Sequence, residues 1–518
     1  MRIGVLLFLL IVVPAHAEPV VAARGFDPIL ATNVYATALA FMVPRTLTPV
    51  SPSQLTMWGL RGLTTLDPDL APELRDGKLR LATRDRVLAA MAPPPDNDSR
   101  GWATAAADFA TAAVTVSSAV RRAGTQGVVQ SFFDELFNHL DPYSRYVAPR
   151  YADEDRDRRS GQAGAGLTLI RRGSEIVVQE AIEDGPGALA GIRPGDVIIT
   201  VDRQSTRAKD AVTVTRWING PEDTQVVIVW RTHEGRTRTA TIDRAMVPPE
   251  TVYSQRLGEM LVVQVTSFNY STDDHLARAL TAGLAGPRLP QGIVIDLRGD
   301  RGGLLRQAVA AADMLLPPGV VTTTAGRDPD ASREWASTGG ELAHDVPVVV
   351  LVDGRSASAA EILAAALADR GRAVVVGSST LGKGLVQTIA PLPDGGELFI
   401  TWSRVLAPRG WPIQGLGVLP QVCTSLGRDA LGWQLAALSQ GRQPMAQAIA
   451  AHRAARAPLS PTQILAIRAA CPAAEGRDLD LDTARILIQD PATYATALLP
   501  PMQSAIRSSV VNERTGAH

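Results

Sequence analysis

The spacing of apolar positions changes along the chain, and with it the predicted elements. From about Asp27 to Gly124, alanines and larger apolar residues recur at helical intervals, interrupted by Pro44, Pro49, Pro52 and the Pro93-Pro94-Pro95 run. That pattern predicts a helical domain with a linker near Pro95. Gly62 to Pro68 and Phe137 to Pro142 each end an apolar helix face at Asp-Pro, a natural helix stop. From Gly161 to about Met246 the helical spacing gives way to short β-rich runs separated by Gly, Pro and Asp turns: Leu167 to Ile170, Ile176 to Val178, Val197 to Val201 and Val226 to Trp230. After Leu257, apolar strands alternate with helical stretches. Strands are expected at Met260 to Val265, Gly292 to Leu297, Val348 to Val352 and Ala373 to Val376, with helices near Asp273 to Leu284 and Leu304 to Leu316.

The β-rich segment opens on Gly164-Ala165-Gly166-Leu167, a glycine-rich loop entering a strand, and later carries Gly191-Ile192-Arg193-Pro194-Gly195-Asp196. Together these resemble a PDZ domain. In such a module a loop exposing successive backbone amides holds a peptide's terminal carboxylate, and the adjoining strand edge pairs with the peptide main chain. The resemblance makes Gly164, Ala165, Gly166 and Leu167 the peptide-binding loop.

Ser358 and Lys383 each follow one of the apolar runs in the α/β region, so neighbouring strands could deliver both to one edge of a sheet. They suggest a serine hydrolase whose base is lysine. Ser358-x-x-Glu361 before an apolar helix is also a capping box, and the two roles are compatible. A nucleophile at a helix N-terminus sits beside unpaired amides, so the amide of Ala359, with one from Gly302 or Gly303, could stabilise an oxyanion. Those glycines lie in Asp296-Leu297-Arg298-Gly299-Asp300-Arg301-Gly302-Gly303, which equally reads as a plain strand-to-helix turn. A lysine base must be neutral. Moving an ammonium from about 10.4 to about 7 takes roughly 4 to 5 kcal/mol, which burial can supply. Gln387 could orient the amine without adding charge, and no carboxylate lies in Leu381 to Gln387.

Gly377 to Gly384 nearly matches a phosphate-binding loop, but Leu385 to Pro391 alternates like a strand where such a loop needs a helix. None of the seven histidines sits in a triad motif, and His344 beside Asp345 reads as a surface turn. The 51 basic residues nearly balance the 52 acidic ones, and the Asp153 to Arg159 cluster mixes both signs. Nucleic-acid binding therefore has no support. Arg2, the apolar stretch Val5 to Val13 and Ala15-His16-Ala17 predict a leader cleaved after Ala17, hence an exported, periplasmic protein. In that compartment Cys423 and Cys471 could form a disulfide; two separate buried thiols are the alternative. No Cys-x-x-Cys, His-Glu-x-x-His or acidic calcium loop occurs, so neither metal nor cofactor is expected.

In order, Leu140 to Tyr146, the two PDZ segments, Asp296 to Gly303, Ser356 to Glu361, Gly382 to Gln387 and Gly415 to Pro420 resemble the carboxyl-terminal processing peptidases, or tail-specific proteases. The resemblance spans about Val128 to Cys423. It implies a multidomain α/β protein: a ClpP/crotonase-like α/β peptidase core with an inserted mostly-β PDZ domain and flanking helical regions. The expected divisions are a signal peptide (1–17), an N-terminal helical domain (18–125), a helical lead-in (126–160), the PDZ domain (161–246), the catalytic domain (247–425) and a C-terminal helical region (426–518). The resemblance also implies Ser358 as nucleophile, Lys383 as general base, Gln387 as its orienting partner, and cleavage of proteins or peptides with exposed C-termini. An adaptor protein and a homo-oligomer are compatible with it, the outer helical regions being the candidate docking surfaces. Two departures are visible: Ala360 where a third serine is common, and Asp300 where asparagine is common. The competing expectation is a catalytically silent peptide-binding scaffold of the same fold.

Overall fold

A computed structural model describes residues 25–160, 162–182 and 185–501; the expected leader over residues 1–17 lies outside them. The described chain divides into two units, one comprising residues 25–43, 49–148 and 390–398, the other residues 44–48, 149–389 and 399–501.

In the first unit, helices Pro52–Leu66, Ser99–Val116 and Ser118–Phe137 carry the predicted helical spacing. Ser51 caps the first, accepting from the Gln54 amide at 3.3 Å with Pro52 at the first helical position. Glycines let it lie close to Ser118–Phe137: a Cβ on Gly62 would come within 2.4 Å of the Ser131 carbonyl oxygen. Two features differ from expectation. The boundary placed at 125/126 falls inside Ser118–Phe137, where Gly124 (φ 61°) breaks the helix without separating two domains. The segment also holds a three-stranded antiparallel sheet, Ala71–Arg75, Lys78–Ala82 and Val87–Met91, and the proline run merely connects its last strand to the next helix. Those strands are short and half exposed, so they lack the long alternation that announces a strand.

The second unit contains the β module and the α/β core. In the β module the sheet order is Thr237–Asp243, Gln225–Arg231, Val197–Val201, Glu175–Ala181, Leu167–Arg172, which leaves Leu167–Arg172 at an edge. Its core gathers Ile176, Val178, Ile198, Val201, Val226, Ile228 and Trp230, with Val214 and Ile218 from helix Ala211–Ile218.

The α/β core is built on a six-stranded sheet ordered Val252–Leu257, Met260–Val265, Gly292–Asp296, Val348–Val352, Ala373–Gly377, Val422–Cys423. Only the first pair is antiparallel. The uninterrupted apolar runs follow from coverage of both faces. Val348, Val350 and Val375 join one core with helices Thr272–Leu284, Leu305–Asp313 and Ala359–Asp369. Val349, Leu351, Val374 and Val376 join another with Leu431, Leu438, Ala484 and Leu487. The C-terminal helices Arg428–Ser439 and Asp478–Gln489 thus supply the second cover of the sheet. A further sheet, Arg333–Ser337, Gly319–Gly326, Glu397–Leu406 and Leu385–Pro391, was predicted only in its last strand.

Cys423 and Cys471 form a disulfide with a Cα–Cα distance of 5.7 Å, which ties the end of the sheet to the C-terminal region. No helix among the described residues is long and apolar enough to cross a membrane.

Candidate active site

Strands Val348–Val352 and Ala373–Gly377 are parallel neighbours, with Val352 opposite Gly377. The segments leading to Ser358 and Lys383 therefore leave the same carboxyl edge of the sheet, where open α/β sheets place their sites. The first is tightly determined. Asp353 Oδ1 accepts from the amides of Gly299 (3.0 Å), Arg355 (2.9 Å) and Ser356 (3.0 Å), and buried Ser356 donates its hydroxyl to the Leu297 carbonyl at 2.8 Å. The Ala357 amide donates to the Asp300 carbonyl at 2.9 Å. These contacts hold Ser358 at φ 55°, ψ −113°, a conformation that costs a non-glycine residue about 1–3 kcal/mol and is concentrated at functional sites. Helix Ala359–Asp369 starts immediately afterwards, and the Ala359 amide donates no hydrogen bond among the described residues.

The second segment is gripped by the first. Glu361, fully buried, accepts from the Ser358 amide (Oε2, 2.8 Å), the Lys383 amide (Oε2, 2.9 Å), the Gly382 amide (Oε1, 2.7 Å) and the Thr380 hydroxyl. The Ser358 and Lys383 amides thus share one oxygen, so they cannot be further apart than those two distances combined. Burial pushes the Glu361 carboxyl above the usual carboxylate range, and the four donors pull it back. Thr380 is held in turn by Arg468, which donates to its carbonyl at 2.8 Å and to that of Leu416 at 2.6 Å. Ser378 and Ser379 donate their hydroxyls to the carbonyls of Ala474 (2.9 Å) and Cys471 (2.6 Å). The sequence showed Glu361 only as a helix cap and showed Arg468 not at all, because each acts on a loop distant in the chain. Nor does the lack of a nearby acid survive: the fold brings Glu361 against the main chain of Lys383.

Lys383 is half-buried between two glycines that nothing larger could replace. A Cβ on Gly384 would come within 2.2 Å of the Gln414 nitrogen, and Gly382 has φ 86°. Strand Leu385–Pro391 follows, so the amides after the lysine belong to a sheet rather than to a phosphate-cradling helix. Gln387 lies on it and commits its Nε2 to the Thr401 hydroxyl (3.0 Å) and the Leu385 carbonyl (3.1 Å), leaving Oε1 as the atom able to accept from an amine. His344 is exposed beside Glu341, with no part in this arrangement.

Of the expected oxyanion glycines, Gly302 is corrected. Its amide donates to Asp300 Oδ1 at 2.7 Å and is consumed there. Its contribution is closeness: with φ 87°, an added Cβ would lie 2.8 Å from the Ser358 Cβ and 2.6 Å from the Ala357 oxygen. The Gly303 amide makes no hydrogen bond among the described residues, and a Cβ there would meet the Phe268 oxygen at 2.0 Å. A cavity of about 360 Å³ opens beside this turn, lined by Leu304, Val386, Trp402, Trp335 and Tyr270.

In the β module, Gly164 pairs with Ala245 in a two-stranded ribbon, so the loop proper is Ala165 to Leu167. Gly166 (φ 69°) turns the chain into the edge strand, while the carbonyls of Ala165 and Gly166 are tied to the amides of Gly187 (2.7 Å) and Ile182 (2.9 Å). No cluster able to hold a metal ion occurs among the described residues.

A profile of peptidase family S41 matches residues 259–424, and a PDZ domain profile matches residues 177–232. A carboxy-terminal-processing protease of Bartonella bacilliformis is 30% identical over 302 residues, covering 57% of this chain and 69% of that protein. The chain belongs to peptidase family S41. A probable CtpA-like serine protease of Staphylococcus aureus is 33% identical over 286 residues, 54% of this chain and 57% of that protein. Among solved structures, a photosystem II D1 C-terminal processing protease matches with a TM-score of 0.37 and 26% identity, over 73% of this chain and 98% of that one. The S41 match ends at Thr424, so the C-terminal cover of the sheet and Arg468 lie beyond it.

Proposed function

We propose that this S41 chain is an exported serine endopeptidase that uses Ser358 and Lys383 as a dyad to cut proteins near their C-termini after the PDZ module takes the tail. The observation that carries this reading is the single Glu361 oxygen that accepts from the amides of both residues. Ser358 Oγ attacks the peptide carbonyl while the neutral Lys383 amine takes its proton; the resulting ammonium returns a proton to the leaving amine. Water then attacks the acyl-enzyme along the same proton path. The amides of Ala359 and Gly303, which donate no hydrogen bond among the described residues, would receive the oxyanion, and the 360 Å³ cavity suits an apolar side chain next to the cut bond. Gln387 Oε1 is a neutral acceptor that can aim the amine without raising its pKa as a carboxylate would. The edge strand Leu167–Arg172 supports addition of the substrate tail as a further strand. The disulfide supports export, because such bonds persist in oxidising compartments and are rare in reducing ones.

The test is an unfolded, tail-bearing protein incubated with purified wild type and Ser358→Ala, with products mapped by mass spectrometry. Cuts near the C-terminus by wild type alone are expected; a silent wild type would favour the scaffold. Amidating the substrate's terminal carboxylate is expected to raise KM by about 10- to 100-fold, the worth of one charged hydrogen-bonded contact, with kcat nearly retained. Equal KM for both tails would remove the carboxylate from PDZ recognition.

A further inference from the structure

Asp300 is fully buried at the turn that touches Ser358, yet only half of its carboxyl is used. Oδ1 accepts from the Gly302 amide at 2.7 Å; Oδ2 is buried with no hydrogen-bond partner. The main chain of the same residue is part of the site, since its carbonyl accepts from Ala357, directly before Ser358. A full negative charge here would lose its hydration in return for one amide contact, which does not offset the loss.

We propose that Asp300 is a positioning residue that works as a neutral acid: protonated, it holds the Gly302–Gly303 turn against Ser358, and its ionisation shuts the oxyanion site. This rests on the Ser358–Lys383 reading. A neutral carboxyl presents a carbonyl oxygen to Gly302 and a hydroxyl at the buried second oxygen. An ionised one sets a poorly screened charge beside the Gly303 and Ala359 amides, opposing the oxyanion, and favours the ammonium form of Lys383.

Surrounding charges do not compensate. On the same turn, Asp296 and Arg298 pair with each other at 2.6 Å, and Arg301 is exposed. On the Ser358 turn, Asp353 is occupied by amides and Arg355 is exposed. Glu361 belongs to the following helix, Lys383 to the neighbouring loop and Arg306 to helix Leu305–Asp313. Asp300 joins no ion pair among the described residues. Burial accordingly pushes its carboxyl up to about 8, against the pull of the Gly302 amide.

The experiment compares kcat/KM from pH 6 to 10 for wild type, Asp300→Asn and Asp300→Ala. Asparagine reproduces the neutral acid's shape and keeps a carbonyl for Gly302. Wild-type activity is expected to fall about tenfold per pH unit above the Asp300 pKa. Asp300→Asn is expected to cleave at pH 7 without that alkaline fall, and Asp300→Ala to lose cleavage throughout. An identical alkaline limb in the asparagine variant, no such limb in wild type, or a folded but inactive asparagine variant would each overturn the proposal. A wild type that cleaves nothing would instead overturn the peptidase reading, and thermal melts would still decide the state of Asp300. An unfolded aspartate titrates near 3.9. The folded chain therefore holds one more proton between that value and about 8, and its stability falls as pH rises through this window. The melting temperature of Asp300→Asn should exceed that of wild type by a margin that widens from pH 5 to pH 8 and then levels; a constant margin means Asp300 is already ionised.

Discussion

Lys383→Met is expected to lower kcat/KM on a tail-bearing substrate by about 10²- to 10⁴-fold, the usual worth of a positioned general base, and Ser358→Ala to lower it at least as far. Methionine keeps the length and apolar stem of lysine and removes only the amine. It also keeps the backbone amide through which position 383 is held to Glu361, so the fold should survive. Lys383→Arg should fail equally, because a guanidinium stays protonated and cannot accept from a serine. Steady-state cleavage of one peptide by the three variants, with melting curves alongside, checks this. Wild-type turnover in purified Lys383→Met would dismiss lysine as the base.

Glu361→Ala should combine loss of cleavage with a stability loss of about 3–5 kcal/mol, since each buried donor left without an acceptor costs about 1–3 kcal/mol. Alanine leaves three amides and a hydroxyl without their acceptor, and two of those amides belong to Ser358 and Lys383. Ser358 then loses the acceptor for its own amide, and the two segments keep their main-chain link, Leu381 N–H to the Ser356 carbonyl at 3.0 Å. Glu361→Gln should fall between, since one amide oxygen can serve the donors on one side only. Urea unfolding and cleavage assays on both variants are the measurement. A Glu361→Ala enzyme with native stability and turnover would mean the two segments are positioned by something else.

Much of the α/β core was legible because its strands are buried on both faces. Continuous apolar runs such as Val348 to Val352 cannot be solvent-facing in either register, and Met260–Val265 was predicted to the residue. The β module announced itself through glycine turns spaced at strand length. The three-stranded sheet between Ala71 and Met91 was missed because its strands are short and half exposed, and the 125/126 boundary because one helix runs across a glycine break. The C-terminal region (426–518) was legible only as helical and as a candidate docking surface, since composition does not say which sheet its helices cover.

The division is the same at the site. Sequence alone determined the chemical groups: a serine heading a helix, a lysine between glycines, a glutamine after it and a glycine-rich turn, because side-chain chemistry and local backbone freedom are properties of short segments. Only the tertiary structure decided how they meet. It made Glu361 the common acceptor for the Ser358 and Lys383 loops, brought Arg468 to Thr380, took the Gly302 amide for Asp300, and left one Asp300 oxygen buried and unpartnered. Desolvation and hydrogen-bond sharing depend on what lies within a few ångströms in space, and the chain brings those groups together from up to 88 positions apart (Arg468 and Thr380).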